Sequence, residues 1–154
     1  MLAIANEKHL YLLEFIESYK LKDSIRKLEE KNAFPIALEK TYILRSIERE
    51  ISLYFEGMLQ EFKTPVFHEG TPFQKSVWNR LKTIPLGKTQ SYLQIARDIH
   101  NPFSYRAVAQ ANSANRLALI IPCHRTIKAN GSLSGYAWGI KRKQFLLYHE
   151  TTNF

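Results

Sequence analysis

Between Thr71 and Asn112 the chain is punctuated so closely that it can fold only as short helices separated by tight turns. Thr71-Pro72 places a capping hydroxyl before a proline at the first helical position, and Phe73, Val77, Leu81 and Ile84 then fall on one apolar face. Pro85-Leu86-Gly87 stops that helix. Ser91-Tyr92-Leu93-Gln94 reads as a capping box opening a second helix through Ile99, and Asn101-Pro102 turns the chain again. Ser104–Asn112 makes a third short helix, whose alanines at 107, 109 and 111 permit close approach to another surface. Two short helices joined by a tight turn suggest a helix-turn-helix, though such pairs are common in helical domains.

Signals upstream are weaker. Leu2–Ile16 fits two short strands turning at Asn6-Glu7-Lys8, and a helix over residues 8–19 is equally compatible with its periodicity. Ser24–Lys31 reads as a charged helix with Asp23 near its cap. Residues 38–60 place Ile43, Ile47, Ile51 and Tyr54 at helical spacing, with a stop near Gly57 and an extended piece at Thr64–His68. The boundary falls at Glu69-Gly70, dividing the chain into residues 1–69 and 70–154. Beyond the third helix, Leu117–Ile121 reads as a buried strand and Asn130-Gly131 as a turn. A last helix over Lys141–Glu150 is expected to pack Phe145 and Leu146 inward.

Charge follows the same division. Residues 1–70 carry 10 Lys/Arg against 12 Asp/Glu, whereas residues 71–154 carry 12 against 2, Asp98 and Glu150. A basic second half is the footprint of a polyanion-binding module, or else a solvated face with no partner. No run of apolar residues is long enough to span a bilayer, and the first residues do not resemble a signal peptide. A single cysteine cannot form an internal disulfide or begin a zinc cluster, so an intracellular setting (cytoplasm, nucleoid or nucleus) without metal or membrane is expected.

That cysteine lies in Ile120-Ile121-Pro122-Cys123-His124-Arg125. Two adjacent cations would lower a thiol pKa, although the commonest fate of a lone cysteine is inert packing as a small hydrophobe. The segment does more than the charges suggest. Pro122-Cys123-His124-Arg125 matches the active-site motif of the O6-alkylguanine-DNA alkyltransferases, the methylated-DNA–protein-cysteine methyltransferases. The resemblance runs through Gly70-Thr71-Pro72-Phe73-Gln74, Val77-Trp78, Ile84-Pro85, Gly87-Lys88-Thr89 and Ser91-Tyr92. It continues through Arg106-Ala107-Val108, Asn112, Asn115, Asn130-Gly131, Gly135-Tyr136, Gly139 and Leu146-Leu147. Residues 1–69 resemble the family much less and look shorter.

The resemblance implies a fold and a chemistry. The fold would be α/β: a small N-terminal lobe with a short sheet, then a mostly helical, winged-helix-like domain. Cys123 would take the alkyl group from O6-alkylguanine, with O4-alkylthymine as a second substrate, in one turnover and without a cofactor. His124 would accept the thiol proton through a water, Glu150 would orient the imidazole, and Asn115 would brace the site. Tyr92 would donate a hydrogen bond to the departing base. The base must leave the duplex to be reached, and Arg106 would fill the space it vacates. Arg106, Ala107, Tyr92, Ser91 and Arg125 would face double-stranded DNA at its minor groove, with the protein a monomer. Thr126, Tyr136, Ala137 and Trp138 would line the substrate pocket.

Three departures stand out. Trp138 occupies a place where some members carry glycine, which predicts a lid favouring methyl over benzyl, or else a core tryptophan. Arg116 stands where many have proline, and Ala109 where glycine is common. Rival readings are a damage-recognition protein without transfer, a sequence-specific regulator and a cysteine hydrolase. Relatives of the first kind lack the cysteine of this motif, and the last would need an oxyanion hole that an adjacent Cys-His pair does not itself supply.

Overall fold

The computed structural model describes residues 1–32, 36–133 and 135–154. The chain forms two compact units, Met1–His68 and Glu69–Phe154. It is a mixed α/β fold, with six α-helices and four short strands among the described residues.

In the first unit, β1 (Leu2–Ala5) and β2 (Leu10–Glu14) pair antiparallel, with an irregularity between Ile4 and Ala5. Of the two readings of this segment, the hairpin forms and the helix does not. Asn6 decides it: its Oδ1 accepts the backbone N–H groups of Lys8 and His9, each at 2.8 Å, closing the turn. Val66 adds a parallel bridge to Leu10, so the extended piece borders β2. Helix α1 spans Leu21–Asn32, with Asp23 in its first turn. Helix α2 runs Tyr42–Phe55, starting four residues later than the periodicity predicts because Thr41 caps it, accepting from Leu44 N–H. Its end is a Schellman motif, in which Met58 N–H reaches Leu53 O across Gly57 at φ 73°. Leu10, Leu12, Leu13, Ile43, Ile47 and Tyr54 form the core of this unit.

In the second unit, α3 (Pro72–Lys82) opens with the expected reciprocal capping box between Thr71 and Gln74. A two-residue strand, β3 (Gln90–Ser91), leads into α4 (Tyr92–Asp98). There the box is only half made: Ser91 Oγ accepts from Gln94 N–H, but the Gln94 amide turns away to Asp98 Oδ1 at 2.7 Å. Asp98, bridged to Arg80 on α3, offers the amide an ionised acceptor, which outcompetes a neutral backbone group. Helix α4 also ends in a Schellman motif, with Asn101 N–H on Ala96 O, but its left-handed residue is His100 at φ 59° rather than a glycine. Helix α5 covers Tyr105–Ser113. Trp78 ties α3 to α5 through its indole N–H on Ala111 O at 2.8 Å.

The apolar run Leu117–Ile121 is not a strand. Ile121 N–H turns back onto Leu117 O and Ile120 N–H onto Ala118 O, with Leu119 at φ 70°. Burial is what the apolar composition reports here; Leu117, Ala118, Leu119 and Ile121 are all in the core, and a buried turn has no periodicity to distinguish it. The chain then enters a 3-10 turn at Cys123–Arg125 and the strand β4 (Thr126–Ile127), parallel to β3. Helix α6 spans Ile140–Asn153. Leu146 is buried as expected, but Phe145 is outward, stacked on His149. Lys143 takes the inward place.

Candidate active site

Every element around Cys123 serves to hold one short turn. Pro122, at φ −80° and ψ 60°, is the centre of an inverse γ-turn in which Cys123 N–H reaches Ile121 O at 2.7 Å. Asn115, in the connection after α5, donates from its side-chain amide to Leu117 O, Ile121 O and Cys123 Sγ, the last at 3.1 Å, and accepts Leu117 N–H. Asn112, on α5, donates to Cys123 O and accepts from Thr126 Oγ1. These amides fix the thiol from one side. The 3-10 turn then places His124 and Arg125 against the end of α6.

Glu150 is the hub there, fully buried. Its carboxylate accepts from His124 Nε2 at 2.7 Å, Arg125 Nε at 2.8 Å, Arg125 Nη2 at 2.9 Å and Gly87 N–H at 3.2 Å. Burial works to raise its pKa, but the bonds from His124 and Arg125 prevail and hold it down at about 2. Gly87 is at φ 66°, and a Cβ there would lie 3.2 Å from Glu150 O, so its glycine meets both demands of the contact.

This settles the imidazole's tautomer by electrostatics. An ionised Glu150 can only accept, so Nε2 carries the proton, and burial lowers the His124 pKa so that the ring is neutral. The remaining nitrogen, Nδ1, is buried and has no hydrogen-bond partner among the described residues. A neutral imidazole with a proton pinned at one end and a lone pair at the other is a general base.

The expected activation of the thiol by two neighbouring cations is not what the structure shows. Arg125 spends its charge on Glu150 and donates Nη1 to Ile84 O, and His124 is neutral. Burial pushes Cys123 up to about 11, against smaller opposing effects of the Asn115 amide, the Lys143 charge and the Tyr136 hydroxyl. Arg125, which the resemblance places at the DNA, is buried and ion-paired with Glu150.

Lys143 has no role in the sequence reading. It is fully buried, donates Nζ to Thr126 O, and is drawn down to about 8 by burial, with the Cys123 charge working the other way. The signal for it was present: Lys143, Leu146 and Glu150 share one face of α6 at helical spacing, and an amphipathic stripe containing a lysine and a glutamate marks a buried polar site. Gly87 and Asn112 enter the sequence pattern only as motif matches, because neither residue type announces a long-range hydrogen bond.

The remaining expected residues are distributed around this cluster. The β3–β4 pairing sets Ser91 beside Ile127, which positions Tyr92, half-buried at the start of α4. Thr126 is buried directly after the turn. Tyr136 is half-buried with its ring 6.5 Å from His124 and 5.2 Å from Trp138, edge-on to both, and Ala137 between them is also half-buried. Trp138 itself is buried against Tyr136, so it backs the tyrosine rather than projecting as a flap. Arg106 is exposed on α5, its guanidinium 5.7 Å from the Tyr105 ring, and Ala107 is half-buried. Arg116 and Ala109 are half-buried. No group of three or more His, Cys, Asp or Glu among the described residues could hold a metal ion.

A buried thiol held by an asparagine amide, in the same short turn as a histidine bonded to a buried glutamate, is the site of a protein with a built-in nucleophile. A family model described as 6-O-methylguanine DNA methyltransferase, DNA binding domain, matches residues 72–152. A methylated-DNA–protein-cysteine methyltransferase of Methanosarcina barkeri is 42% identical over 154 residues, covering 99% of this chain and 91% of the relative. Another from Methanosarcina acetivorans is 50% identical over 110 residues, 71% of this chain and 70% of that one. The crystal structure of Mycobacterium tuberculosis OGT in complex with DNA superposes with a TM-score of 0.81 at 34% identity, covering 98% of this chain and 86% of that one. The chain belongs to the methylated-DNA–protein-cysteine methyltransferase family.

Proposed function

We propose that this protein repairs DNA by moving the alkyl group of O6-alkylguanine onto Cys123, once per molecule. The observation that carries the reading is the polarised relay Glu150–His124, whose open Nδ1 sits in the turn that holds the buried thiol. His124 takes the thiol proton through a bridging water, and the sulfur attacks the alkyl carbon. The carbon–O6 bond breaks, its electron pair goes to the guanine, and the product is a thioether. Tyr92 donates toward the base as negative charge develops there, and the proton lost by sulfur is returned to the leaving guanine. Asn115 aims the sulfur. No second cysteine exists to displace the alkyl group, which makes the reaction stoichiometric.

The duplex is approached from its minor groove by α5, with Arg106 filling the space left by the flipped base, Ala107 allowing close contact and Ser91 near the backbone. Backbone groups at Thr126 and Ala137 read the base edge, and Tyr136 and Trp138 wall the pocket. Because Trp138 backs Tyr136, that wall resists widening, so methyl transfers well and benzyl poorly. The protein acts as a monomer.

The test is peptide mass spectrometry after incubation with duplex DNA containing O6-methylguanine. The peptide with Cys123 should carry one methyl group, and Cys123→Ser should carry none. Methyl on any other residue, or repeated turnover, would overturn the proposal. Rapid inactivation by dilute free O6-benzylguanine would sink the pocket-wall part alone.

A further inference from the structure

The turn between α4 and α5 presents an aromatic side chain that the reaction does not use. Phe103 follows Asn101-Pro102 and is 94% exposed. Two positions on, Tyr105 is 44% exposed and lies under the guanidinium of Arg106. The turn is held in shape: the Schellman motif of α4 closes it on one side, while Ser104 N–H and Oγ both bond to Asn101 O. A phenylalanine thus displayed on a rigid turn, inside the half of the chain with 12 Lys/Arg and 2 Asp/Glu, exposes apolar area that packing leaves uncovered. Its surroundings attract a polyanion, and an aromatic ring in a cationic setting is the combination that stacks on nucleobases.

We infer that Phe103 is a stacking contact to DNA, laid against a base or sugar next to the extruded nucleotide, with Tyr105 steadying the Arg106 guanidinium beside it. The inference rests on the reading of α5 as the DNA-facing helix. A wedge and a stacking ring three residues apart have complementary work: Arg106 occupies the vacated position, and Phe103 covers a neighbouring surface that unstacking leaves wet. The ring is sequence-tolerant, because every base has a π-face, so it would aid lesion capture without restricting the flanking sequence.

The experiment compares wild type, Phe103→Ala, Phe103→Trp and Arg106→Ala in two reactions: methyl transfer from an O6-methylguanine duplex, and inactivation by free O6-benzylguanine at high concentration. Phe103→Ala should slow the duplex reaction at limiting DNA by roughly tenfold, and leave the free-base reaction unchanged. Phe103→Trp should restore the duplex rate, and its fluorescence should be quenched on binding DNA. If Phe103→Ala matches wild type on the duplex while Arg106→Ala is impaired, the inference is overturned and the reading of α5 stands. If both variants match wild type on the duplex, the reading of α5 fails and takes the inference with it. If Phe103→Ala slows the free-base reaction equally, the ring is structural and the inference is also overturned.

Discussion

A thiol held near a pKa of 11 is a poor nucleophile at neutral pH, and Cys123 remains one until its proton has somewhere to go. Burial thus protects the only cysteine from casual alkylation, and in the proposed mechanism His124 Nδ1 is the acceptor that releases it. Iodoacetamide at neutral pH should modify the folded protein far more slowly than free cysteine, with urea unfolding restoring the ordinary rate; fast labelling of the native protein would contradict the burial account. Lys143 supplies a buried positive charge that acts on the sulfur and does not bond to Glu150 among the described contacts. Replacing it by methionine should leave secondary structure intact, slow methyl transfer by an order of magnitude or so, and move the pH–rate profile to higher pH, because the thiolate loses a stabilising charge. An unchanged profile would show that Lys143 only anchors Thr126. Glu150→Gln leaves Arg125 buried without its counter-ion and should cost about 3–5 kcal/mol in urea unfolding. A loss below 1 kcal/mol would mean that Arg125 escapes to solvent.

Helix ends carry much of the positioning at the next scale. Both Schellman motifs use a left-handed residue, but α2 uses Gly57 while α4 uses His100, which bears the steric cost that glycine avoids. His100→Gly should therefore stabilise the protein by about 0.5–1 kcal/mol, read as a shift in the denaturant midpoint; a destabilisation would reveal an unrecognised role for the imidazole. The elements that punctuation defines were legible: α3 from Thr71-Pro72, α4 from Ser91, and α5 after Asn101-Pro102 all form where residue chemistry places them. What failed was the run at 117–121, where apolar composition reported burial and could not report that the chain curls onto Asn115. Phe145 failed for the converse reason, since an aromatic in an amphipathic helix was assigned inward while the interior position belongs to a lysine with a charged task. The pairing of His124 with Glu150 was legible through motif resemblance, whereas the capture of Arg125 by the same carboxylate was not. That contact joins residues 25 apart in sequence, a separation that no local pattern reports.

At the scale of the whole molecule, the charge division and the buried relay set how the protein responds to its medium. Glu150 is held at about 2 against an ordinary 4.5, so its stabilising contribution is complete above pH 4.5 and is lost as pH falls toward 2. His124, lowered by burial from an ordinary 6.5, binds its proton more readily when unfolded, which erodes stability in the same direction below pH 6.5. Cys123 acts at the other extreme: its raised pKa favours the folded state below 9 and loses that advantage as pH climbs through about 11. Lys143, drawn down to about 8 from an ordinary 10.5, opposes Cys123, because stability rises as pH climbs from 8 to 10.5. The loss of stability should therefore fall on the acid side, and acid unfolding of Glu150→Gln should be flatter between pH 4.5 and 2. None of the described helices is long and apolar enough to cross a membrane. The basic second half should make DNA affinity fall steeply with salt.

The central claim is that one thiol accepts one alkyl group and stops. Titrating a fixed amount of protein with excess duplex containing radiolabelled O6-methylguanine tests it most directly. Labelling should reach a plateau at one label per protein molecule, abolished by Cys123→Ser and accompanied by one unmodified guanine per transfer. Label rising past one equivalent, or guanine repaired without label on the protein, would contradict it.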